Sequence, residues 1–231
     1  MLLRTAFAPS PLANLRAAAI RCFEAIEVAK PESVPSHYQF SRLSHSVTLP
    51  ALLDFGCAGS EELTAPLASA GLEQLIQEAT GEELTCHLEQ SWARRKPAPC
   101  HARAQRHFHS WHQDGGLGVR FPPEPGPVIA MTRLLTCWLP LDPCGRDAPG
   151  LELVRRRLDS LLHFTELDDQ VLRRRFAPEE FWAPELEPGD GLVFLNGTLH
   201  RTYRLAAMRR ERLSVEYRFF PRDQQHKLTP M

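Results

Sequence analysis

The sequence lacks any apolar run close to the roughly 20 residues that a membrane-spanning helix requires. It also lacks an excess of charge of either sign, because 27 Lys and Arg stand against 28 Asp and Glu, for a formal net charge of -1. Such a balance gives no electrostatic reason to expect an anionic partner. We therefore expect neither a membrane nor a nucleic acid as partner.

Closely spaced cysteine pairs are absent as well. No C-x-x-C motif occurs among the six cysteines, so neither a zinc knuckle nor a disulfide framework is indicated, and we expect reduced thiols in a cytoplasmic protein. Residues 1–23 contain arginine but no acid, a composition shared by organelle transit peptides and ordinary amphipathic helices. We favour the helix. The sequence also has no internal repeat and no low-complexity segment.

What is present indicates one globular domain. Hydrophobic residues make up 43% and charged residues 24% of the 231-residue chain, close to the averages for folded proteins. We expect a single domain over residues 1–231, with a helical preface over residues 1–82. Apolar residues recur at helical spacing over residues 12–30 and 60–80, which predicts one helix in each segment.

The pattern changes after Gly81. Short segments rich in β-branched and aromatic residues, bounded by Pro or Gly, predict strands over residues 84–92, 128–139, 191–195 and 213–220. A helical pattern near residues 165–184 predicts an insertion over about residues 155–187. The fold class expected is mainly β with flanking helices, a double-stranded β-helix (jelly roll, cupin-like) over residues 83–220.

The segment that carries chemistry is His112-Gln-Asp114. On an extended chain, residues two apart point to the same side, so the imidazole and the carboxylate can share a metal ion. A strand signal after Gly189-Asp190 leads to His200, which can supply a third ligand. Two histidines and one carboxylate form the facial triad of non-haem iron(II) oxygenases, which leaves positions open for a bidentate 2-oxo acid and dioxygen.

A cation further along the chain completes this pattern. Arg212 and Ser214 share one face of a predicted strand, where a guanidinium and a hydroxyl could hold the remote carboxylate of 2-oxoglutarate. Arg210 lies on the same face, so the carboxylate partner could be either arginine. Ordinary alternatives remain: Arg212 could form a surface ion pair with Glu211 or Glu216.

These motifs, in this order and spacing, resemble the phytanoyl-CoA dioxygenase family. The resemblance covers roughly residues 92–220 and rests on the His-Gln-Asp motif, residues 138–142, residues 148–154, Gly189-Asp190, His200-Arg-Thr202 and Arg212. It implies a jelly roll that binds iron(II) and 2-oxoglutarate and uses dioxygen to hydroxylate a small molecule, with release of succinate and CO2.

The resemblance also implies roles for single residues. His112, Asp114 and His200 would bind iron, and Thr202 and Trp138 would contact the 2-oxoglutarate that Arg212 holds. The Pro-Gly-Ser-His segment usual in the family is replaced here by Arg-Arg-Arg at residues 155–157, so the substrate cannot be inferred by analogy.

Several alternatives stay open at this stage. A cupin-type metal enzyme that does not use 2-oxoglutarate, or a jelly roll that has lost catalysis and serves as a binding module, would carry much of the same pattern. The arginine runs at 155–157 and 173–175 have acidic neighbours, which favours a solvated surface. His107 and His109 precede the motif and are interpreted as outer or surface residues.

Overall fold

The computed structural model describes residues 1–28, 45–101 and 108–222. Its helices are α1 (Pro9–Val28), α2 (Leu49–Asp54), α3 (Ser60–Ser69), α4 (Leu72–Thr80) and α5 (Asp169–Arg175). Its strands are β1 (Leu2–Leu3), β2 (Ser46–Thr48), β3 (Leu84–Cys86), β4 (Trp92–Lys96), β5 (Leu135–Pro140), β6 (Gly150–Val154), β7 (Phe181–Trp182), β8 (Gly191–Leu195), β9 (His200–Tyr203) and β10 (Arg212–Pro221). Among these residues, no helix combines the length and the apolar character needed to cross a bilayer.

Two antiparallel sheets face each other. In the described part of the chain, the larger sheet has the order β1-β8-β5-β10-β4-β2, with β3 also paired to β10, and the smaller sheet has the order β7-β6-β9. A bridge between His112 and His200 extends the smaller sheet at its β9 edge. The space between the two sheets holds the polar cavity described below.

The alternation of side chains along β10 assigns its two faces. Leu213, Val215, Tyr217 and Phe219 join the apolar core that the larger sheet shares with α1 to α4. Residues 212, 214, 216 and 218 point the other way, between the sheets, because side chains alternate along a strand. The Tyr217 hydroxyl donates a hydrogen bond to the Leu63 carbonyl at 2.6 Å and fixes α3 on the sheet.

The two helices predicted for residues 12–30 and 60–80 are observed with one break, and residues 29 and 30 lie outside the described residues. The predicted helix over residues 12–30 is observed as α1, which buries Leu15, Ala19, Cys22 and Ile26 on one face. The single helix predicted over residues 60–80 is wrong in its continuity. It divides into α3 and α4 at Gly71, whose φ of 57° lies in the left-handed region that a helix cannot contain.

The strand predictions are correct in kind and imprecise in extent. The segment 84–92 is interrupted by a 3-10 turn at Leu88–Gln90, and from the predicted strand 128–139 only β5 is a strand. Val128 forms an isolated bridge with Leu161 instead. The helical part of the predicted insertion is reduced to α5 and two 3-10 turns, Phe164–Glu166 and Pro178–Glu180. These boundaries depend on long-range pairing, which local patterns do not contain.

Candidate metal centre

The backbone brings His112 and His200 together. Each residue donates its backbone N–H to the other's carbonyl, at 2.9 and 3.0 Å, and the ring centroids are 4.2 Å apart. Asp114 lies two residues beyond His112, and ligand atoms of these three residues all lie within 4.8 Å of one another. The structure thus places the three predicted ligand residues in one group that could hold a metal ion.

Hydrogen bonds orient both imidazoles. His112 Nδ1 lies 2.8 Å from the Ser110 carbonyl, and His200 Nδ1 lies 2.9 Å from the Thr198 carbonyl. A carbonyl only accepts, so each Nδ1 carries the proton and each Nε2 keeps its lone pair for a metal. Burial, with the nearby His200, lowers the pKa of His112 to about 4, which keeps this ring neutral at physiological pH.

Two donors hold the Asp114 carboxylate. Thr136 Oγ1 donates to Oδ2 at 2.6 Å, and Arg218 Nη2 donates to Oδ1 at 3.1 Å. Burial alone would raise the pKa of Asp114, but the Arg218 guanidinium outweighs that effect and keeps the pKa below its ordinary value. The carboxylate is therefore ionised and fixed in orientation, as a metal ligand needs to be.

The ion pair between Asp114 and Arg218 is part of a larger group of charged side chains. Arg218 Nη2 also contacts Glu216 Oε1 at 2.8 Å. Glu216 is in turn held by Arg94, whose Nε and Nη2 donate to its two oxygens at 2.9 and 3.2 Å. Through this row of alternating charges, the Asp114 carboxylate is linked to β4 and β10.

A small cavity lies beside the two histidines, between the sheets. Its lining combines the two imidazoles with cations and a few neutral side chains. The residues are Arg94, Lys96, His109, His112, Trp138, Leu151, His200, Thr202, Arg212 and Glu216. Among the described residues, the only carboxylate in this lining is Glu216, which Arg94 and Arg218 already neutralise.

Arg212 lines this cavity with 1% of its surface exposed. Its Nε donates to the Pro149 carbonyl at 3.0 Å, its Nη1 contacts Ser214 Oγ, and its guanidinium lies 4.9 Å from the centre of the Trp138 ring. No carboxylate lies within ion-pair distance of Arg212 in the described part of the chain. The surface ion pair considered from the sequence is therefore wrong.

Lys96 is the Cα partner of Arg212 in the β4–β10 register. Its side chain is 1% exposed, and its Nζ has no hydrogen-bond partner among the residues that the structure describes. A buried ammonium without a partner is costly, so such groups are rare unless a ligand completes them. Two basic side chains, Arg212 and Lys96, thus line the same cavity as the candidate metal ligands without a carboxylate partner in the described part of the chain.

The other predicted cosubstrate residues fall in different places. Trp138, Thr202 and Ser214 are buried between the sheets, and the first two line the cavity. Arg210 is exposed and precedes β10, so it does not reach the cavity, and Arg212 is the arginine that does. His109 lines the cavity with its ring 5.7 Å from that of His112, whereas His107 lies outside the described residues.

The arginine runs are mostly neutralised, as the sequence suggested. Arg156 pairs with Glu180, Arg157 with Asp159, and Arg175 with Glu166, at 2.6 to 3.0 Å. Residues 155–159 rim a wider crevice of about 380 Å³. The Phe194 ring, 4.7 Å from that of His200, lies between this crevice and the metal ligands.

Comparison with solved structures identifies proteins of similar architecture. The structure of EctD from S. alaskensis with 2-oxoglutarate and 5-hydroxyectoine aligns at a TM-score of 0.66 and 16% identity, over 96% of this chain and 71% of that chain. The non-heme alpha ketoglutarate dependent epimerase SnoN from nogalamycin biosynthesis aligns at 0.56 and 14%, over 96% and 77%. EvdO2 from Micromonospora carbonacea var. aurantiaca, complexed with 2-oxoglutarate, aligns at 0.55 and 18%, over 94% and 84%.

The chain shares their fold. This agreement confirms the predicted jelly roll with flanking helices. No protein-family model matches the sequence, and no curated protein matches it. At these identities the likeness concerns the fold, so the chemistry must be argued from the residues of this chain.

Sequence reasoning missed four residues that support the site: Arg94, Lys96, Thr136 and Arg218. The available signal was the even spacing of residues 212, 214, 216 and 218, which predicts that Arg218 faces the same side as Arg212. Arg94 and Lys96 share a face of β4 for the same reason. Only the pairing of β4 with β10 shows that this face is buried.

Proposed function

We propose that the protein is a non-haem iron(II)- and 2-oxoglutarate-dependent oxygenase that hydroxylates a small molecule, with release of succinate and CO2. The observation that carries the proposal is the pair Arg212 and Lys96: two buried basic side chains that have no carboxylate partner among the described residues, in the cavity that the candidate metal-binding imidazoles also line. A dicarboxylate that reaches from the metal to these cations satisfies both.

The donor set fits iron(II). His112, Asp114 and His200 supply two neutral imidazole nitrogens and one carboxylate, the ligand set of the facial triad, and the carbonyls of Ser110 and Thr198 fix both rings. Thr136 and Arg218 hold the carboxylate from behind. Such outer contacts raise metal affinity by keeping the ligands in place.

The cationic end of the cavity fits the remote carboxylate of 2-oxoglutarate. Ser214 and the Pro149 carbonyl occupy Nη1 and Nε of Arg212, and these contacts fix the plane of the guanidinium. Trp138 lies under the guanidinium and excludes water from that side. Thr202 presents a hydroxyl from β9. These residues hold the cosubstrate in one orientation relative to the metal.

Iron(II) and 2-oxoglutarate, when bound, supply the oxidising chemistry with dioxygen, and the protein supplies binding and orientation. The resemblance to the phytanoyl-CoA dioxygenase family and the 2-oxoglutarate in the EctD and EvdO2 structures support the same cosubstrate. The carboxylate at Asp114 favours hydroxylation over halogenation, because halogenases of this kind leave that position open for a halide.

The test is an anaerobic titration of the protein with iron(II) and then 2-oxoglutarate, followed by the visible charge-transfer band of the chelate. We expect the band in the wild type, its loss in Asp114→Ala, and a much higher 2-oxoglutarate requirement in Arg212→Ala. Asp159→Ala and Arg210→Ala are matched controls, because both side chains are exposed, and both should behave as the wild type.

Two outcomes would overturn the proposal. Iron binding without any band would favour a cupin-type enzyme that does not use 2-oxoglutarate. Failure to bind iron would favour a jelly roll that serves as a binding module. If the band forms, succinate release on admission of air then reports uncoupled turnover and provides an assay with which to identify the substrate.

A further inference from the structure

Lys96 lies among charged groups that line the same cavity. Arg94 lies on its own strand, Arg212 and Glu216 lie on β10, and His109 lies on the segment that leads to the metal motif. All of them line the same cavity. The amine thus lies near two guanidinium groups and one carboxylate, while its Nζ makes no hydrogen bond to any residue in the described ranges.

Glu216 does not serve as the counter-ion of Lys96. Both of its oxygens accept from Arg94, and Oε1 also contacts Arg218. These pairs keep the pKa of Glu216 well below its ordinary value despite burial. His109 cannot help, because burial and the surrounding cations lower its pKa far below the ordinary value and leave it neutral. Among the described residues, the ligand-free cavity therefore has no free anion for an ammonium group.

Burial is the largest influence on the Lys96 amine, and Arg94 and Arg212 act in the same direction. Together they lower the pKa of Lys96 to about 6. At neutral and alkaline pH the amine of the ligand-free protein is consequently neutral. It accepts a proton once an anion arrives beside it, because an opposite charge favours the ionised form.

Resting on the proposed function, we propose that Lys96 takes up one proton from solvent when 2-oxoglutarate binds, so that a rise in pH weakens cosubstrate binding. The proton moves from water or buffer to Lys96 Nζ, and the remote carboxylate of 2-oxoglutarate becomes its partner. The cosubstrate itself stays fully ionised. Cosubstrate loading is thereby coupled to pH through a residue that does not bind the metal.

The uptake of a proton determines how strongly the Kd for 2-oxoglutarate depends on pH. Above the pKa of the free protein and below that of the complex, binding must be accompanied by nearly one proton, and the apparent Kd rises about tenfold per pH unit. Below about pH 6 the amine is already charged, and the dependence disappears. Arg212 stays charged throughout this range and contributes no slope.

The test is anaerobic calorimetry of the iron(II)-loaded protein titrated with 2-oxoglutarate at pH 7.5, in two buffers of different ionisation enthalpy. The difference in heat gives the number of protons taken up. We expect a value near one for the wild type. Lys96→Arg, which is charged at all accessible pH values, and Lys96→Met, which has no proton to gain, should both give a value near zero.

A second readout is the pH dependence of the dissociation constant, from the charge-transfer band between pH 6.5 and 8.5. The wild type should weaken by about tenfold per pH unit, Lys96→Arg should be nearly flat, and Lys96→Met should be flat and weaker than the wild type at low pH. Far-ultraviolet circular dichroism checks that each variant is folded, and either variant alone suffices for the comparison.

The outcomes separate this inference from the proposed function. A chelate band with no proton uptake in the wild type overturns the role of Lys96 while the oxygenase proposal stands. Uptake that persists in Lys96→Arg and Lys96→Met assigns the proton to another group and also overturns the inference. If no band forms, the proposed function fails, and the inference fails with it.

Discussion

The side-chain amide of Gln113 links the metal motif to Gly197, because Nε2 donates to the Gly197 carbonyl at 2.9 Å. The same nitrogen donates to the Ser160 carbonyl at 3.1 Å, and Oε1 accepts from the Leu162 N–H at 2.7 Å. The residue between the two motif ligands thus holds the turn before His200 and the start of the insertion against the ligand segment.

Replacement of Gln113 by Glu should weaken iron binding without removal of a ligand. A carboxylate cannot donate to the Ser160 and Gly197 carbonyls, so both contacts become repulsive and the His200 turn loses its anchor. Outer-shell changes of this kind lower metal affinity by about 10–100-fold. Anaerobic iron(II) titration measures this effect. Gln170→Glu, on an exposed residue of α5, is the control, and unchanged affinity in Gln113→Glu would refute the expected role.

Gly197 should tolerate no side chain. A Cβ built at this position would lie 2.4 Å from the Leu158 carbonyl oxygen, so Gly197→Ala must displace backbone in the turn before His200. We expect a loss of about 1–3 kcal/mol in the free energy of unfolding, typical of overpacking. Gly126→Ala is the matched control, because no atom lies within 4 Å of its added Cβ. Equal stability of the two variants in urea denaturation would contradict this account.

Glu216→Gln should destabilise the fold strongly. The change leaves Arg94 and Arg218 buried with only Asp114 to compensate them, and loss of one member of a buried ion pair costs about 3–5 kcal/mol. Because the native pKa of Glu216 is lowered, its contribution is present at neutral pH and is lost as the pH falls below the ordinary value near 4.5.

As the pH falls from 7 to 3, the free energy of unfolding of Glu216→Gln should therefore decrease less than that of the wild type. Urea denaturation at several pH values measures this difference. Glu211→Gln provides the comparison. Glu211 is exposed and pairs with Arg95 at 3.2 Å on the surface, so its removal should change stability by less than about 1 kcal/mol. Similar costs for both variants would show that the buried chain of charges adds no stability.

Lys96→Met should stabilise the ligand-free protein while it weakens 2-oxoglutarate binding. The methionine fills a similar volume without an unpartnered amine. A lysine with a lowered native pKa binds fewer protons when folded, so wild-type stability rises with pH above about 6. The difference in the free energy of unfolding between Lys96→Met and the wild type should therefore decrease by about 1.4 kcal/mol for each unit by which the pH rises.

Thermal melts at pH 6.5 and 8.5 measure this difference, and each kcal/mol corresponds to about 2–4 °C in Tm for a chain of this size. Arg210→Met, at an exposed cation, should leave Tm nearly unchanged at both pH values. A lower Tm for Lys96→Met at both values would show that the amine has a stabilising partner in solution.

The fold was largely predictable because its signals are local. Alternation predicts which face of β10 is polar, and helical spacing predicts α1. The site was predictable only where the chemistry fixed the residue types, at His112, Asp114 and His200. Arg210 and Arg212 are two positions apart, so the alternation of side chains would place both on the same face of a strand. Only the observed start of β10 at Arg212 shows which of the two lies in the sheet.

Other residues could not be recognised from local sequence. Residues 92–96 read Trp-Ala-Arg-Arg-Lys, a composition typical of a solvated edge strand. Their burial depends on β10, more than 115 positions later in the chain. Lys96 and Arg94 are functional candidates only in the context of that pairing.

Because β10 has one apolar face and one charged face, its pairing register decides which side chains face the cavity and which face the helices. If the strand shifted by one residue against β4 and β5, Tyr217 and Phe219 would enter the cavity, and Arg212 and Arg218 would enter the helical core. A misaligned chain could then neither bury its helices nor support the Asp114 carboxylate. Correct folding and metal competence therefore arise in a single event, and a chain trapped in the wrong register would be inactive as well as unstable.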